Sequence, residues 1–156
     1  MNINQIFKLT LVLFYIFLAS CGYQPMLNET NKKFSITNFT ISGDKRLAQI
    51  LANHIGTSET RETNLSINIF AKKDRAVSNR NEAGKITEYS LSLEFKLEGR
   101  DQISNKVIYS KTLTAQSNYK ASKEYFDTLN KEKNIVDNLT KTLANQLITE
   151  LSLIYN

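Results

Sequence analysis

The thiol of Cys21 offers the clearest chemistry in this 156-residue chain. It closes Leu18-Ala19-Ser20-Cys21, directly after a charge-free, apolar run from Leu9 to Leu18. Lys8 and the amino terminus form the positive end, and no acid precedes it. A charged start, a short apolar stretch and small residues at the cut site make a secretory signal. A Cys at that site makes it a bacterial lipoprotein signal. The expected chemistry is a thioether to diacylglycerol, cleavage between Ser20 and Cys21, and acylation of the freed amino group. Some ~10–12 apolar residues reach about 15–18 Å, too short for a hydrocarbon core of about 30 Å, which argues against a spanning anchor. Two or more acyl chains hold stably, at about 0.8 kcal/mol per buried CH₂. Gly22 follows the Cys where an Asp would retain the protein at the inner membrane. The expected location in a Gram-negative cell is therefore the outer membrane, lipid-anchored, on the periplasmic side.

Other reactive residues are sparse. With one Cys, and that one lipidated, neither a disulfide nor a Cys-based metal site is expected. His54 is the only imidazole, and its place near a helix end suits a surface or capping role. Glu82, Glu88 and Glu94 lie in or near a strand whose alternation sends Glu94 to solvent. No Gly-rich phosphate loop, metal-ligand spacing or Ser-His-Asp set stands out, so no cofactor, no metal and no enzymatic activity are expected. The residues that ask for a partner are Lys72, Lys73, Arg75, Arg80 and Lys85, interrupted only by Asp74 and Glu82. Arg grips phosphate with a bidentate fork and Lys as a mobile point charge. Near an anionic membrane each is worth about 1 kcal/mol. Nucleic acid would use the same charges, but an exported lipoprotein does not routinely meet it.

Those residues need a scaffold. Removing 1–20 leaves 136 residues with nineteen Lys and Arg against fifteen acids, enough chain for one domain without staples. We divide the chain into a signal peptide (1–20), a lipidated tether (21–32) containing the only Pro, Pro25, and a single domain (33–156). A β-favouring run from Lys33 to Ile41 slips its alternation near Asn38. Asp44 offers an N-cap, and Leu47, Ile50, Leu51 and Ile55 have the spacing of a one-faced helix that Gly56 stops. Leu65, Ile67 and Ile69 alternate as a strand, and so do Tyr89, Leu91, Leu93, Phe95 and Leu97. Gly99-Arg100-Asp101 reads as a turn into a fourth strand marked by Val107, Tyr109, Lys111, Leu113 and Ala115, paired with the third. From Ser122 to Ile154 neither Gly nor Pro intervenes. Ile135, Leu139, Leu143, Leu147, Leu151 and Ile154 form a helical stripe, widened by Val136, Ala144 and Ile148, with a bend or fraying expected over Ser122–Lys133. The order β-α-β-β-β-α implies an α+β two-layer sandwich: a four-stranded, mainly antiparallel sheet covered on one face by two helices. Ser90, Ser92, Glu94 and Lys96 make the other face polar.

Several short pieces, in this order, resemble the LPS-assembly lipoprotein family (LptE), especially its shorter, alphaproteobacterial-type members. They are Cys21-Gly22-Tyr23-Gln24-Pro25, then Arg75-Ala76-Val77, Asn81-Glu82-Ala83 and Tyr89-Ser90-Leu91, then Ser117-Asn118-Tyr119 before a long Leu- and Ala-rich helix. Gln24-Pro25 replaces the His-Leu-Arg-Gly continuation of the enteric members. The resemblance implies a non-enzymatic partner of LptD, the outer-membrane barrel that inserts lipopolysaccharide into the outer leaflet. The family's protein plugs that barrel, assists its assembly and can bind lipopolysaccharide. Lys72, Lys73, Arg75 and Arg80 are the expected contacts with lipopolysaccharide or the barrel. The alternative is a pilot or accessory lipoprotein of another envelope machine, a secretin or a transport system. A lipid-tethered periplasmic enzyme is a third reading, and His54 is poorly placed for it.

Overall fold

The computed structural model describes residues 34–58 and 63–155. The signal segment, Cys21 and the tether lie outside the described residues. The elements are β1 (Phe34–Gly43), α1 (Lys45–Ile55), β2 (Thr63–Arg80), β3 (Ile86–Asp101), β4 (Val107–Lys120) and α2 (Tyr125–Tyr155). They follow the expected β-α-β-β-β-α order. The strands lie side by side as β1-β2-β3-β4. The β2–β3 and β3–β4 pairs are antiparallel hairpins, whereas β1 runs parallel to β2. That parallel pair requires a crossover, and α1 supplies it. The slip near Asn38 is a register shift between Ile36 and Asn38.

Alternation decides which face is covered. Leu65, Ile67, Ile69 and Ala71 of β2 and Leu91, Leu93, Phe95 and Leu97 of β3 are buried on one face. Leu47, Ala48, Leu51 and Ala52 of α1 and Leu143, Ala144, Leu147 and Leu151 of α2 close over them. Each fully buried Leu or Ile contributes about 1.5–3 kcal/mol. α1 begins where the Asp44 carboxylate accepts from the Leu47 N–H at 3.0 Å. It ends at Gly56, whose φ of 70° suits a residue without Cβ.

Three boundaries differ from the sequence expectation. Strand β3 does not turn at Gly99-Arg100-Asp101 but pairs through Asp101. Gly99 lies opposite Tyr109, and a Cβ there would come within 3.3 Å of the Tyr109 Cβ, so the missing side chain lets the two strands pack closely at this point. The turn follows, where the Asp101 carboxylate accepts from the N–H groups of Ile103 and Ser104 and from the Ser104 hydroxyl. Strand β2 extends to Arg80, so Lys72, Lys73, Arg75 and Arg80 all lie on a strand, and only 81–85 connect to β3. Finally, α2 starts at Tyr125 and runs unbroken, about 46 Å at about 1.5 Å per residue. Its first half buries Thr128, Glu132, Val136 and Thr140, a stripe at intervals of four. At the other end Ile154, expected in the apolar stripe, is 51% exposed.

Candidate functional site

Lys72 and Lys73 share a strand but not a face. The odd-numbered residues of β2 continue the core side past Ala71, so Lys73 and Arg75 point toward the helices. The Lys73 Nζ lies 3.0 Å from Glu132 Oε1, and Arg75 Nη1 forms an ion pair with Glu132 Oε2 at 3.2 Å. The Tyr119 hydroxyl donates to the same Oε2 at 2.7 Å. The Arg75 guanidinium also lies 3.8 Å above the Tyr89 ring, which stacks on Tyr119 with centroids 5.6 Å apart. Glu132, its side chain only 9% exposed, is thus the hub tying α2 to β2 and β4. Burial alone would push its carboxyl up. The hydrogen bonds from Tyr119 and Lys73 and the charges of Lys73 and Arg75 outweigh burial and hold it below the usual range. Burial and the bond to Glu132 push the Tyr119 hydroxyl well up.

A second link of the same kind stands further along α2. Glu150 accepts from the Tyr109 hydroxyl and from Lys111 Nζ, both at 2.7 Å. The Lys111 bond leads in holding its carboxyl low, and with the Gln146 and Tyr109 bonds and the Lys111 charge it outweighs the opposing effect of burial. His54 Nε2 lies 3.0 Å from Asp137 Oδ1, joining the two helices. The contact is exposed and in the last turn of α1, so His54 is a surface residue that also bridges the two helices.

Among the described residues no element covers the opposite face of the sheet. Across β2, β3 and β4 the register aligns Lys72 with Glu94 and Thr114, Asp74 with Ser92 and Gln116, and Ala76 with Ser90 and Asn118. Three pairs of charges lie on this face, Lys72 with Asp74 at 2.7 Å, Lys96 with Glu94 at 3.6 Å and Arg100 with Glu98 at 2.7 Å, while Glu88 and Lys120 face each other across β3 and β4 near its end without a close ion pair. Gln116 donates to the Ser90 hydroxyl at 2.8 Å. The result is a wide hydroxyl- and amide-rich surface with no net charge from those three pairs. Arg80 belongs to neither cluster; it is exposed at the hairpin and donates to the Gly84 carbonyl at 2.9 Å. The four cations expected to act together therefore occupy three places.

The residues missed by sequence reading are Glu132, Tyr119, Tyr89 and the Glu150 group. Odd-number alternation from Leu65 through Arg75 carried the signal for the first cluster. So did the i, i+4 spacing of Thr128, Glu132, Val136 and Thr140. Among the described residues no group of three or more His, Cys, Asp or Glu could hold a metal, and no helix is long and apolar enough to cross a membrane.

Such a four-stranded sheet under two helices, with one parallel edge, is a fold seen in bacterial lipoproteins. Rare lipoprotein B from Shewanella oneidensis matches with a TM-score of 0.55 at 10% identity, over 74% of this chain and 94% of that one. The minor lipoprotein from Acinetobacter baumannii matches with a TM-score of 0.53 at 20% identity, over 76% of this chain and 90% of that one. At these identities the likeness is one of fold. No protein-family model and no curated protein matches the sequence.

Proposed function

We propose that this protein is an outer-membrane lipoprotein, anchored through Cys21 on the periplasmic side, that plugs an LptD-type barrel. In this role it assists barrel assembly and takes part in lipopolysaccharide insertion into the outer leaflet. The observation that carries the reading is the open sheet face, with its paired charges and its rows of Ser, Thr, Asn and Gln. A barrel lumen is polar, and a rigid face that offers rows of hydrogen-bonding groups, with most of its charges paired, suits contact with it. The lipoprotein signal ending at Cys21 and the fold shared with lipoproteins support the envelope location. The role in this reading is one of binding.

Lipopolysaccharide contact in this reading falls to Lys72 and Arg80, which are exposed. Lys73 and Arg75 are engaged by Glu132 within the domain. The test is a mild-detergent pull-down of the tagged, lipidated protein from its own envelope, with partners identified by mass spectrometry. The expected result is one large outer-membrane barrel at about one-to-one. Recovery of a secretin or an inner-membrane transporter without that barrel overturns the proposal and supports a pilot or accessory role.

A further inference from the structure

A groove of about 810 Å³ runs between α1 and the first half of α2. Its lining is apolar where Leu47 and Ile50 of α1 face Leu129 and Val136 of α2. At its rim Phe126 is 70% exposed and Leu129 39% exposed, large apolar surface left to water at a helix start. The volume lies within the range of about 300–1,000 Å³ common for small-molecule sites.

The charges around it are unevenly engaged. Each lining acid already has a partner: Asp44 caps α1, Asp137 holds His54, and Glu132 holds Lys73, Arg75 and Tyr119. Among the described residues Arg46 and Lys133, which also line the groove, make no ion pair. An apolar trough with two unengaged cations matches a ligand with an apolar chain and an anionic head.

The walls favour a lipid chain over an extended peptide. Both are helices, whose interior N–H and C=O groups are bonded along their own axes. An extended peptide laid here would bury main-chain groups without partners, at a cost that an acyl chain does not incur. We infer that the α1–α2 groove is a binding site for an anionic amphiphile. Its acyl chain lies against Ile50, Phe126 and Leu129, and its phosphate or carboxylate is held by Arg46 and Lys133. The site lies on the helical layer, away from the open sheet face, and stands whether or not that face meets a barrel.

The experiment uses the full, lipidated chain in phosphatidylcholine nanodiscs, photolabelled with a diazirine-tipped dodecyl phosphate. Saturable labelling is expected on the tryptic peptide Glu124–Lys131. Labelling should fall by at least about thirtyfold in an Arg46→Glu/Lys133→Glu variant, given about 1 kcal/mol per cation near an anionic headgroup and tenfold per about 1.4 kcal/mol. Phe126→Ser, at an exposed position, should reduce it several-fold without loss of fold. Unlabelled dodecyl phosphate or dodecanoate should compete, and inorganic phosphate should not. The inference is overturned if a dodecyl maltoside analogue labels equally well, or if charge reversal changes nothing. Competition by inorganic phosphate alone would make it a bare anion site. Displacement by an acidic amphipathic peptide, without saturation by the probe, would assign the groove to a protein partner.

Discussion

The Lys73 ammonium sits 3.0 Å from Glu132, while that of its chain neighbour Lys72 sits on the other face of the sheet, 2.7 Å from Asp74. Adjacent strand residues point to opposite faces, so the two lysines serve different purposes. Charge reversal should separate them. Lys73→Glu places a second carboxylate against Glu132 and is expected to cost about 2–3 kcal/mol. Lys72→Glu disturbs an exposed pair and should change stability by less than about 0.5 kcal/mol. Urea denaturation of the two variants measures the difference. If Lys72 contacts lipopolysaccharide, Lys72→Glu weakens that binding with the fold intact.

Glu132 itself gives a sharper test. Glu132→Gln keeps the shape and an acceptor for Tyr119 but leaves Lys73 and Arg75 without a counter-charge near the core. The expected loss is about 2 kcal/mol. Replacing both Glu132 and Arg75 with apolar residues of similar size should cost less than the sum of the single changes, because Arg75 is then not left without its carboxylate, while Lys73, 36% exposed, can turn to water. A double-mutant cycle in urea reads the coupling directly.

The same carboxylates set the acid limit of stability. Glu132 and Glu150 both lie below their ordinary value of 4.5 in the folded protein. A carboxyl with a lower pKa folded than unfolded stabilises the fold above its unfolded value and loses that contribution as pH falls through the folded one. Stability should therefore be level with respect to these groups above about pH 5 and decline toward about pH 3. Glu132→Gln should flatten part of that decline. Denaturation midpoints measured every half unit from pH 3 to 7 check the slope.

How far the sequence reveals this architecture depends on which rule governs each element. Asp44 and Gly56 mark α1 because capping chemistry is local. Leu91 through Leu97 mark β3 because one face is buried and the other wet. Gly99 misleads, since the same residue that commonly turns a chain here lets its strand pack closely against Tyr109 across the ladder. The start of α2 misleads for a related reason. Its buried stripe includes Thr128, Glu132 and Thr140, which look solvent-facing in the sequence, yet Glu132 finds its partners on β2 and β4 and the two threonine hydroxyls donate locally to the Glu124 and Val136 carbonyls. The Glu132 site is assembled from residues up to 59 positions apart, and its pairing register exists only in the folded sheet. Lys73 and Arg75 nevertheless follow the odd-numbered alternation of Leu65, Ile67 and Ile69, and that period is readable in advance.

Two glycines with nearly equal φ should respond differently to alanine. Gly43 has φ +73° and a Cβ there would lie 2.3 Å from the Ala71 carbonyl oxygen. That oxygen also accepts from the Asp44 N–H at 2.8 Å, at the point where β1 passes into α1. Gly56 has φ +70° and open space around it. Gly56→Ala should cost about 1 kcal/mol, the left-handed penalty alone. Gly43→Ala adds overlap with main chain and should cost at least about 2 kcal/mol more. Equal thermal shifts in the two variants would mean that the β1–α1 junction relaxes freely.

The open sheet face can be tested without touching the core. Ser92 of β3 and Gln116 of β4 are cross-strand partners on that face, beside Asp74 of β2. Ser92→Arg and Gln116→Arg each add a long cation where the native surface is neutral and hydrogen-bonding. Neither side chain enters the core, so denaturation midpoints should shift by less than about 0.5 kcal/mol in equivalent stability. Insertion against a polar wall should suffer, because each long side chain intrudes on the docked surface and its charge must lose water, the nearby Asp74 being already engaged by Lys72. Co-purification of the barrel is therefore expected to drop several-fold in either variant and further in the pair. Full recovery of the barrel with both arginines present would show that this face stays in water, and the plug reading would lose its main support.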